Sequence, residues 1–354
     1  MILNALSKES NQRIVEDQII LLIIKLFNDS FLNNNELLFL MENISKFELE
    51  ILKNYSMLKT KDNCDSFVKL TALLQITRNC TKECPECPLG STSEDPFVNI
   101  LSMQEITRAI DTAAKMGISR IVITGEEKYV PLGIEVTSIV EYSKCKYPEI
   151  EILLGIGRLA NNIYSDLVKV GLDYYLHGYD VTLVCQSNNK DQCLQEIQDS
   201  FDVYHLNNLD YKVAGTITLN IPEQTNESIV EQLVFLEEIR PNICSIKFYD
   251  SDKLIPYNNY KKGTIEELEF FIAVINLLTN GISIPISNYL NCNTIEDFDK
   301  LYKTGSDSHL VSITPINHNE KCLVYKGAIN TVTEQEQTLT YVRERLDKAG
   351  FKII

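Results

Sequence analysis

Three closely spaced cysteines are the residues of this sequence most suited to chemistry. Cys80, Cys84 and Cys87 have the spacing C-x3-C-x2-C and follow a short apolar run that ends at Ile76. Thiolates are the ligands that iron–sulfur clusters select, and cysteines on one loop can surround one face of a cluster. A closed [4Fe–4S] centre takes four cysteines, so three leave one iron open to a small molecule, much as a catalytic zinc keeps an open position. The spacing therefore predicts an open cluster that takes part in a reaction.

A zinc site is the main alternative for these cysteines. A structural zinc takes four Cys or His ligands, and the sequence holds no second pair spaced C-x2-C that would complete the set. A metal centre that is only structural, or only transfers electrons, also stays open at this point. Because no secretory signal is evident, we expect the remaining cysteines to be reduced thiols of a cytoplasmic protein. They are Cys64, Cys145, Cys185, Cys193, Cys244, Cys292 and Cys322.

Composition narrows the class of protein. The chain has 354 residues, of which 44% are hydrophobic, which is enough for one large α/β barrel or two ordinary domains. Its formal net charge of −16 repels phosphate backbones and anionic membranes, so we expect no nucleic-acid or membrane partner. The longest apolar run, residues 19–24, is too short to span a bilayer.

The first part of the chain has a helical pattern. Apolar residues at near-helical spacing predict helices over 17–27 and 36–58, and the asparagines at 33–35 offer an N-cap for the second. We interpret residues 1–68 as a helical N-terminal extension that packs on the domain formed by residues 69–354. A partner-binding module is the alternative interpretation.

From residue 71 the pattern alternates between short apolar runs and helical stretches. Strands alternating with helices imply βαβ units with a parallel sheet, and eight such units close into an α/β fold of the (β/α)8 TIM-type barrel class. In such barrels the chemistry lies at the carboxyl ends of the strands, and the cysteines directly follow the first strand. The predicted strands are 71–76, 120–124, 150–155, 173–176, 212–219, 243–248, 283–287 and 310–314.

Four helices are predicted between or after these strands, over 103–116, 227–239, 264–278 and 333–349. The first ends before Gly117, and the second has Thr225 or Asn226 as its N-cap. The last two each begin at a Thr with a Glu three residues later (Glu267 and Glu336), as in a capping box.

Polar residues at the predicted strand ends are candidates for the site. The run Thr124-Gly125-Glu126 suits a close approach of the backbone to a ligand and a carboxylate facing an ammonium, although an ordinary polar loop has the same pattern. Lys247 lies in an apolar strand, so it must reach either a polar cavity, where it could hold a substrate carboxylate, or the rim. His177 is a lone histidine, for which a structural hydrogen bond is the alternative to a role in the site. We expect four further residues to line the pocket: Tyr249, Ser287, Tyr289 and Ser312.

The cysteine spacing after the first barrel strand resembles the signature of the radical S-adenosylmethionine (radical SAM) enzymes. The resemblance implies that Cys80, Cys84 and Cys87 hold a [4Fe–4S] cluster, whose free iron binds the amino and carboxylate groups of S-adenosylmethionine (SAM). It also implies that the strand-two run, Thr124 to Glu126, receives the amino group of the SAM methionine through a glycine-glutamate motif.

Two further stretches resemble nucleotide-binding parts of the family. The run from Gly171 to Asp180 is similar to a segment of biotin synthase, which implies that Asp180 holds the SAM ribose. Gly215 and Ile217 match a Gly-x-Ile-x-Gly segment on strand five, in which Leu219 replaces the second Gly, and the match implies that they lie along the adenine.

The order of parts is most similar to the branch that contains biotin synthase, a maturation enzyme of iron-only hydrogenase, and methylornithine synthase. Biotin synthase carries a cysteine on strand five for a second cluster, and this chain has none between Val213 and Thr225. Methylornithine synthase holds its substrate with an Arg on strand six and an Asp after strand seven. About Cys244 and Tyr289 replace them here, which indicates a different substrate.

The resemblance implies reductive cleavage of SAM to a 5′-deoxyadenosyl radical, which then takes hydrogen from a small substrate. An electron donor such as flavodoxin or ferredoxin would supply the electron. We expect an amino-acid-like substrate and a rearrangement like that of methylornithine synthase. A hydrogenase-maturation or sulfur-inserting role is the alternative within the family, and a non-catalytic iron–sulfur or zinc protein is the alternative outside it.

Overall fold

The computed structural model describes residues 2–61, 67–76, 101–125, 135–157, 159–180, 212–221, 224–248, 263–286, 295–315 and 342–353, except 345 and 349. Predictions on other residues, those on the three motif cysteines among them, lie outside the described residues. Within these ranges, none of the helices has the length and apolar character needed to traverse a bilayer.

Three helices open the chain: α1 (Ile2–Asp29), α2 (Asn34–Asn43) and α3 (Lys46–Lys61). The predicted cap is present, because Asn33 accepts a hydrogen bond from Glu36 N–H while the Glu36 carboxylate accepts one from Asn33 N–H. The prediction of a single helix over 36–58 is wrong, because the structure has two helices there, α2 and α3. Ile44 has extended backbone, and the Ser45 N–H donates to the Glu48 carboxylate at 3.0 Å, so a new helix begins there.

All eight predicted strands are present and parallel, with a short ninth pairing beside β1. Neighbours in the sheet follow the order β6-β5-β4-β3-β2-β1-β8-β7. A bridge between Ile243 and Ser283 joins the two ends, which closes the ring and confirms the (β/α)8 barrel. The strands are β1 (Phe67–Gln75), β2 (Arg120–Thr124), β3 (Glu151–Gly155), β4 (Tyr174–Asp180), β5 (Lys212–Leu219), β6 (Ile243–Phe248), β7 (Pro285–Ile286), β8 (Ser308–Ser312) and β9 (Lys352–Ile353).

Helices cover the outside of the ring. Thr225 and Thr264 cap two of them as predicted, each accepting a hydrogen bond from the N–H three residues later, and Gly117 ends another with φ +68°. Of the helix predicted over 333–349, residues 342–344 and 346–348 are helical, and Glu336 lies outside the described residues. The helices between the strands are α4 (Met103–Lys115), α5 (Val136–Lys146), α6 (Asn161–Lys169), α7 (Asn226–Ile239), α8 (Ile265–Leu278) and α9 (Ile295–Thr304).

Alternation along the strands separates an outer apolar core from the barrel interior. Side chains of successive strand residues point to opposite faces, so every second residue packs under the helices. The large outer core contains, for example, Leu74, Ile217 and Ile246. A separate small cluster fills the interior, and it consists of Leu153, Tyr174, Ala214 and Ile243 with Val122 and Leu176 packed against it.

An ionic network closes the amino end of the barrel below this cluster. Arg120 is 2% exposed and donates to the Glu151 carboxylate at 2.9 Å and to Ser283 Oγ at 3.1 Å. Tyr174 Oη also donates to Glu151, at 3.0 Å. Burial raises the pKa of Glu151, but the charges of Arg120 and Lys69 outweigh it, and the net pKa is lowered. This end of the barrel is therefore occupied by paired charges, which leaves the carboxyl end for a ligand.

Helix α3 is fastened to α8 by buried polar contacts. Lys53 contacts the Glu269 carboxylate at 2.5 Å, and the two side chains are 12% and 5% exposed. Two turns further along α8, the fully buried Asn276 amide donates to Ser56 Oγ at 2.9 Å and to Thr60 Oγ1 at 2.6 Å. These contacts hold the N-terminal helices against the barrel wall.

Candidate active site

The carboxyl end of β1 is where the cysteine segment leaves the barrel and returns to it. Ile76 follows β1, and its N–H donates to the Thr124 carbonyl on β2 at 2.8 Å. After residues 77–100, Leu101 resumes beside the same point, because its N–H donates to the Ile76 carbonyl at 2.9 Å. Both ends of the segment that carries Cys80, Cys84 and Cys87 are therefore fixed at the carboxyl rim. The cysteines themselves lie outside the described residues, so their role as ligands stays a prediction.

The end of β2 lies next to this point. Thr124 pairs with Gln75 on one side and Gly155 on the other, and both Thr124 and Gly125 are partly exposed. The Gly125 N–H donates to the Gly155 carbonyl at 3.2 Å. Glu126 lies outside the described residues. Thr124 and Gly125 are thus at the rim beside the two ends of the cysteine segment, and their contact with the SAM methionine stays a prediction.

Gly155 leaves space on the inner side of this rim. A Cβ built on Gly155 would lie 3.1 Å from Leu176 Cδ2 and 3.3 Å from Leu176 Cβ. Leu176 packs on the interior cluster, so the open position faces into the barrel. Glycine here keeps the mouth wider between β2 and β4.

The carboxyl half of β4 has an irregular register. Leu176 pairs with Ala214, but the next recorded pair is Asp180 with Thr216, so four residues of β4 match two of β5. The backbones of His177 and Asp180 belong to β4, while the directions of their side chains lie outside what the structure describes. Their proposed roles in the site stay predictions.

Strand β5 turns the two residues matched to the adenine segment away from the mouth. A Cβ on Gly215 would meet Leu236 and Pro241 at 3.6 and 3.7 Å, both on the helical side, and Ile217 is fully buried in the outer core. The inner positions are Thr216 and Thr218, which alternate with them. Contact with a nucleotide inside the barrel through the side chain of Ile217 would therefore require that side chain to leave the outer core.

Strand β6 presents Lys247 to the mouth. Cys244 and Ile246 are buried in the outer core, and Phe248 packs against it, so Ser245 and Lys247 occupy the inner face. The cysteine matched to the substrate-binding Arg of methylornithine synthase thus faces the helices. Tyr249 lies outside the described residues.

Strand β8 and the residues directly after it contribute hydroxyl groups to the rim. Ser312 is 4% exposed and pairs with Leu73, and Thr314 Oγ1 accepts a hydrogen bond from the Gln75 N–H at 2.9 Å. Ser287 and Tyr289 lie outside the described residues. Among the described side chains at the carboxyl ends of β1 to β8, Lys247 is the only ionisable one, and hydroxyl and amide groups make up the rest of the polar lining.

Sequence reasoning missed four of these inward polar residues: Gln75, Thr216, Thr218 and Ser245. The signal was present, because each alternates with apolar neighbours in a strand that is otherwise hydrophobic. Within the described ranges, no group of three or more His, Cys, Asp or Glu side chains is arranged to hold a metal ion.

No protein-family model matches the sequence. Among curated proteins, the chain is similar to the [FeFe] hydrogenase maturase subunit HydE of Thermotoga maritima, with 20% identity over 295 residues that cover 80% of this chain and 81% of HydE. Among solved structures, methylornithine synthase (PylB) matches with a TM-score of 0.72 and 19% identity, covering 94% of this chain and 97% of PylB. The maturase HydG of Carboxydothermus hydrogenoformans matches with a TM-score of 0.72 and 16% identity, covering 98% of this chain and 81% of HydG.

At these identities, the matches to solved structures establish the fold alone. The sequence similarity to HydE is the evidence that supports a family relationship. It extends over most of both chains, and this chain has the C-x3-C-x2-C motif directly after the first strand of its barrel. The similarity to HydE, the fold shared with methylornithine synthase and the C-x3-C-x2-C motif agree with the resemblance to the radical SAM branch that includes these enzymes and biotin synthase.

Proposed function

We propose that the protein cleaves SAM reductively at a [4Fe–4S] cluster held by Cys80, Cys84 and Cys87, and removes hydrogen from a small amino-acid-like substrate in the barrel mouth. The observation that carries this proposal is the hydrogen bond from Leu101 N–H to the Ile76 carbonyl, which brings both ends of the cysteine segment to the carboxyl rim. When bound, the cluster would supply the electron that splits SAM into methionine and a 5′-deoxyadenosyl radical.

The chain's own groups position the reactants. Gly125, with no side chain, lets the backbone beside the cysteine segment approach the methionine part of SAM closely. The apolar cluster beneath the mouth, which contains Leu153 and Ile243, excludes water from the place where a reactive radical would form. An external one-electron donor, such as flavodoxin or ferredoxin, would reduce the cluster.

A rearrangement of an amino acid, as in methylornithine synthase, is the first candidate reaction. The absence of a cysteine between Val213 and Thr225 argues against the second cluster of a biotin-synthase-like enzyme. The similarity to HydE favours a second candidate, in which the enzyme prepares a small precursor for hydrogenase maturation.

Anaerobic reconstitution tests the proposed function. With iron, sulfide, SAM and dithionite, the wild type should bind about four iron atoms per chain and produce 5′-deoxyadenosine. Cys80→Ala should lose both properties. Cys145→Ala, which removes an exposed cysteine on α5, should keep both. A chain that binds zinc in preference to iron, or binds iron but never yields 5′-deoxyadenosine, would exclude the enzyme proposal.

A second pair of assays separates the two candidate reactions. Free amino acids should be consumed under turnover if the enzyme catalyses a rearrangement. Activation of apo-hydrogenase in a mixture with the other maturases would instead support the maturation role. Iron well above four atoms per chain would point to a second cluster and sulfur insertion.

A further inference from the structure

Two adjacent strands form a polar wall on one side of the mouth. On β5 the inner positions are Thr216 and Thr218, and on β6 they are Ser245 and Lys247. The pairing puts Thr216 beside Ser245 and Thr218 beside Lys247, so one cation and three hydroxyl groups form a compact patch. Phe248 supports this orientation, because it packs on the outer core with its ring against Gly263.

An apolar surface lies directly below this patch. Ala214 and Ile243 are the inner residues one step earlier on the same two strands, and they belong to the interior cluster together with Leu153. A molecule bound here would meet a charged and hydroxylic surface at one end and hydrocarbon below it. This combination suits an anionic head group on a short carbon skeleton.

The patch faces the region proposed for SAM. In the closed ring, β6 and β2 are four strands apart in either direction, so Lys247 lies across the barrel from Thr124 and Gly125. The interior of an eight-stranded barrel has room for little more than side chains or one small ligand. A substrate between the two walls would direct its far end toward the reacting part of SAM.

We propose that Lys247, with the hydroxyl groups of Thr216, Thr218 and Ser245, binds a carboxylate of the substrate. This inference rests on the proposed function and narrows the substrate to a compact carboxylate-bearing molecule. Lys247 determines which end of the substrate is anchored, and the carbon that loses hydrogen lies on the side of β1 and β2.

The test uses the reconstituted holoenzyme with SAM. Probes are pools of the protein amino acids with L-ornithine added, and matched pools of the amines that lack the carboxylate. Thermal stabilisation and stimulation of 5′-deoxyadenosine formation are both measured. At least one carboxylate pool should stabilise the enzyme and stimulate 5′-deoxyadenosine formation, and the matching amine pool should do neither. In Lys247→Met the half-saturating concentration should rise about 10- to 100-fold, the effect of losing a hydrogen bond to a charged group.

Controls keep the result interpretable. Lys212→Met removes an inner lysine at the opposite end of β5 and should respond as the wild type does. Lys247→Arg should retain part of the response, and Thr218→Val supplies a second variant if Lys247→Met fails to fold. The inference is overturned if no carboxylate pool stabilises the enzyme or stimulates 5′-deoxyadenosine formation, or if amines do so equally well. It is also overturned if Lys247→Met has the half-saturating concentration of the wild type. Failure of the proposed function would give a different result from failure of this inference. The wild type would then form no 5′-deoxyadenosine at all, with or without a probe.

Discussion

Two glycines near the mouth face opposite sides of the barrel wall. A Cβ on Gly155 would contact Leu176 in the interior, whereas a Cβ on Gly215 would contact Leu236 and Pro241 under helix α7. The first position therefore affects the volume of the mouth, and the second affects only the packing of a helix. Substitutions at the two sites separate these effects.

Gly155→Val should narrow the mouth between β2 and β4 and raise KM for SAM about tenfold or more, because the new branched side chain must displace Leu176. Gly215→Ala should leave KM unchanged, since its methyl group would make ordinary contacts at 3.6 and 3.7 Å. Initial rates of 5′-deoxyadenosine formation at varied SAM give both values. A raised KM in Gly215→Ala would instead indicate that the β5 backbone lies against the nucleotide, as the sequence resemblance implies.

The sequence predicted the position of the mouth better than the directions of its side chains. The polar residues at strand ends predict Thr124, Lys247 and Ser312 as site residues, and the structure places them at the carboxyl end. The motif that indicates Gly215 and Ile217 takes no account of the alternation that places Thr216 on the inner face. Direction along a strand follows from the register, which depends on contacts distant in sequence.

At the scale of elements, the buried pair between Lys53 and Glu269 attaches α3 to the barrel. Burial lowers the pKa of Lys53, but its hydrogen bonds to Glu269 and Glu50 outweigh burial and leave the pKa raised. A cation whose pKa is raised by folding stabilises the native state below its unfolded pKa, and that contribution is lost as the pH rises through the folded value. On the alkaline side, the pair should therefore keep its contribution through neutral pH and lose it as the pH rises through the raised pKa of Lys53.

Lys53→Met should lower the free energy of unfolding by about 3–5 kcal/mol, because it leaves the Glu269 carboxylate buried without a cation. Glu50→Gln removes the exposed partner of the same lysine and should change the free energy of unfolding by less than about 1 kcal/mol. The double variant Lys53→Met with Glu269→Leu should regain most of the loss, since an apolar pair of similar size fits a buried site. Urea unfolding at neutral pH gives the three values. Equal losses in Lys53→Met and Glu50→Gln would show that burial of the pair does not matter.

Secondary structure was predictable where local signals were strong. The strands and capped helices follow apolar periodicity and side-chain caps, which are properties of a few neighbouring residues. The break at Ile44 was missed because the apolar spacing continues through it, while the cap at Ser45 depends on Glu48. The predicted start of β1 was too late, since Lys69 interrupts the apolar run although it pairs with Ser308 inside the sheet.

At the scale of the whole molecule, the net charge of the protein and the charge of the described side chains at the mouth of its barrel have opposite signs. The chain carries a formal net charge of −16, yet Lys247 lies toward the mouth of its barrel, while Lys69 and Arg120 at the amino end are paired with Glu151. An acidic protein with cations inside a cleft repels polyanions but can still bind a small anion within the cleft. This distribution agrees with the proposed carboxylate substrate.

The barrel closes at its shortest seam, between β6 and β7. Strand β7 has two residues, and the recorded backbone bonds across the seam are Cys244 N–H to Ser283 and Ser283 N–H to Asn242, at 2.9 and 3.1 Å. By contrast, β1 and β2 pair over five consecutive residues. Local opening needs less free energy where fewer bonds must break together.

Hydrogen exchange followed by mass spectrometry should therefore show faster exchange in peptides covering residues 283–286 than in peptides covering 71–75 and 120–124. Arg120→Lys should widen the difference, because a lysine cannot bond Glu151 and Ser283 at once in the arrangement that Arg120 uses across the amino end of the ring. Lys303→Met, at an exposed lysine on α9, serves as the control and should leave the pattern unchanged. Equal protection at the two places in the wild type would mean that the ring opens only by global unfolding and that the short seam is not its weak point.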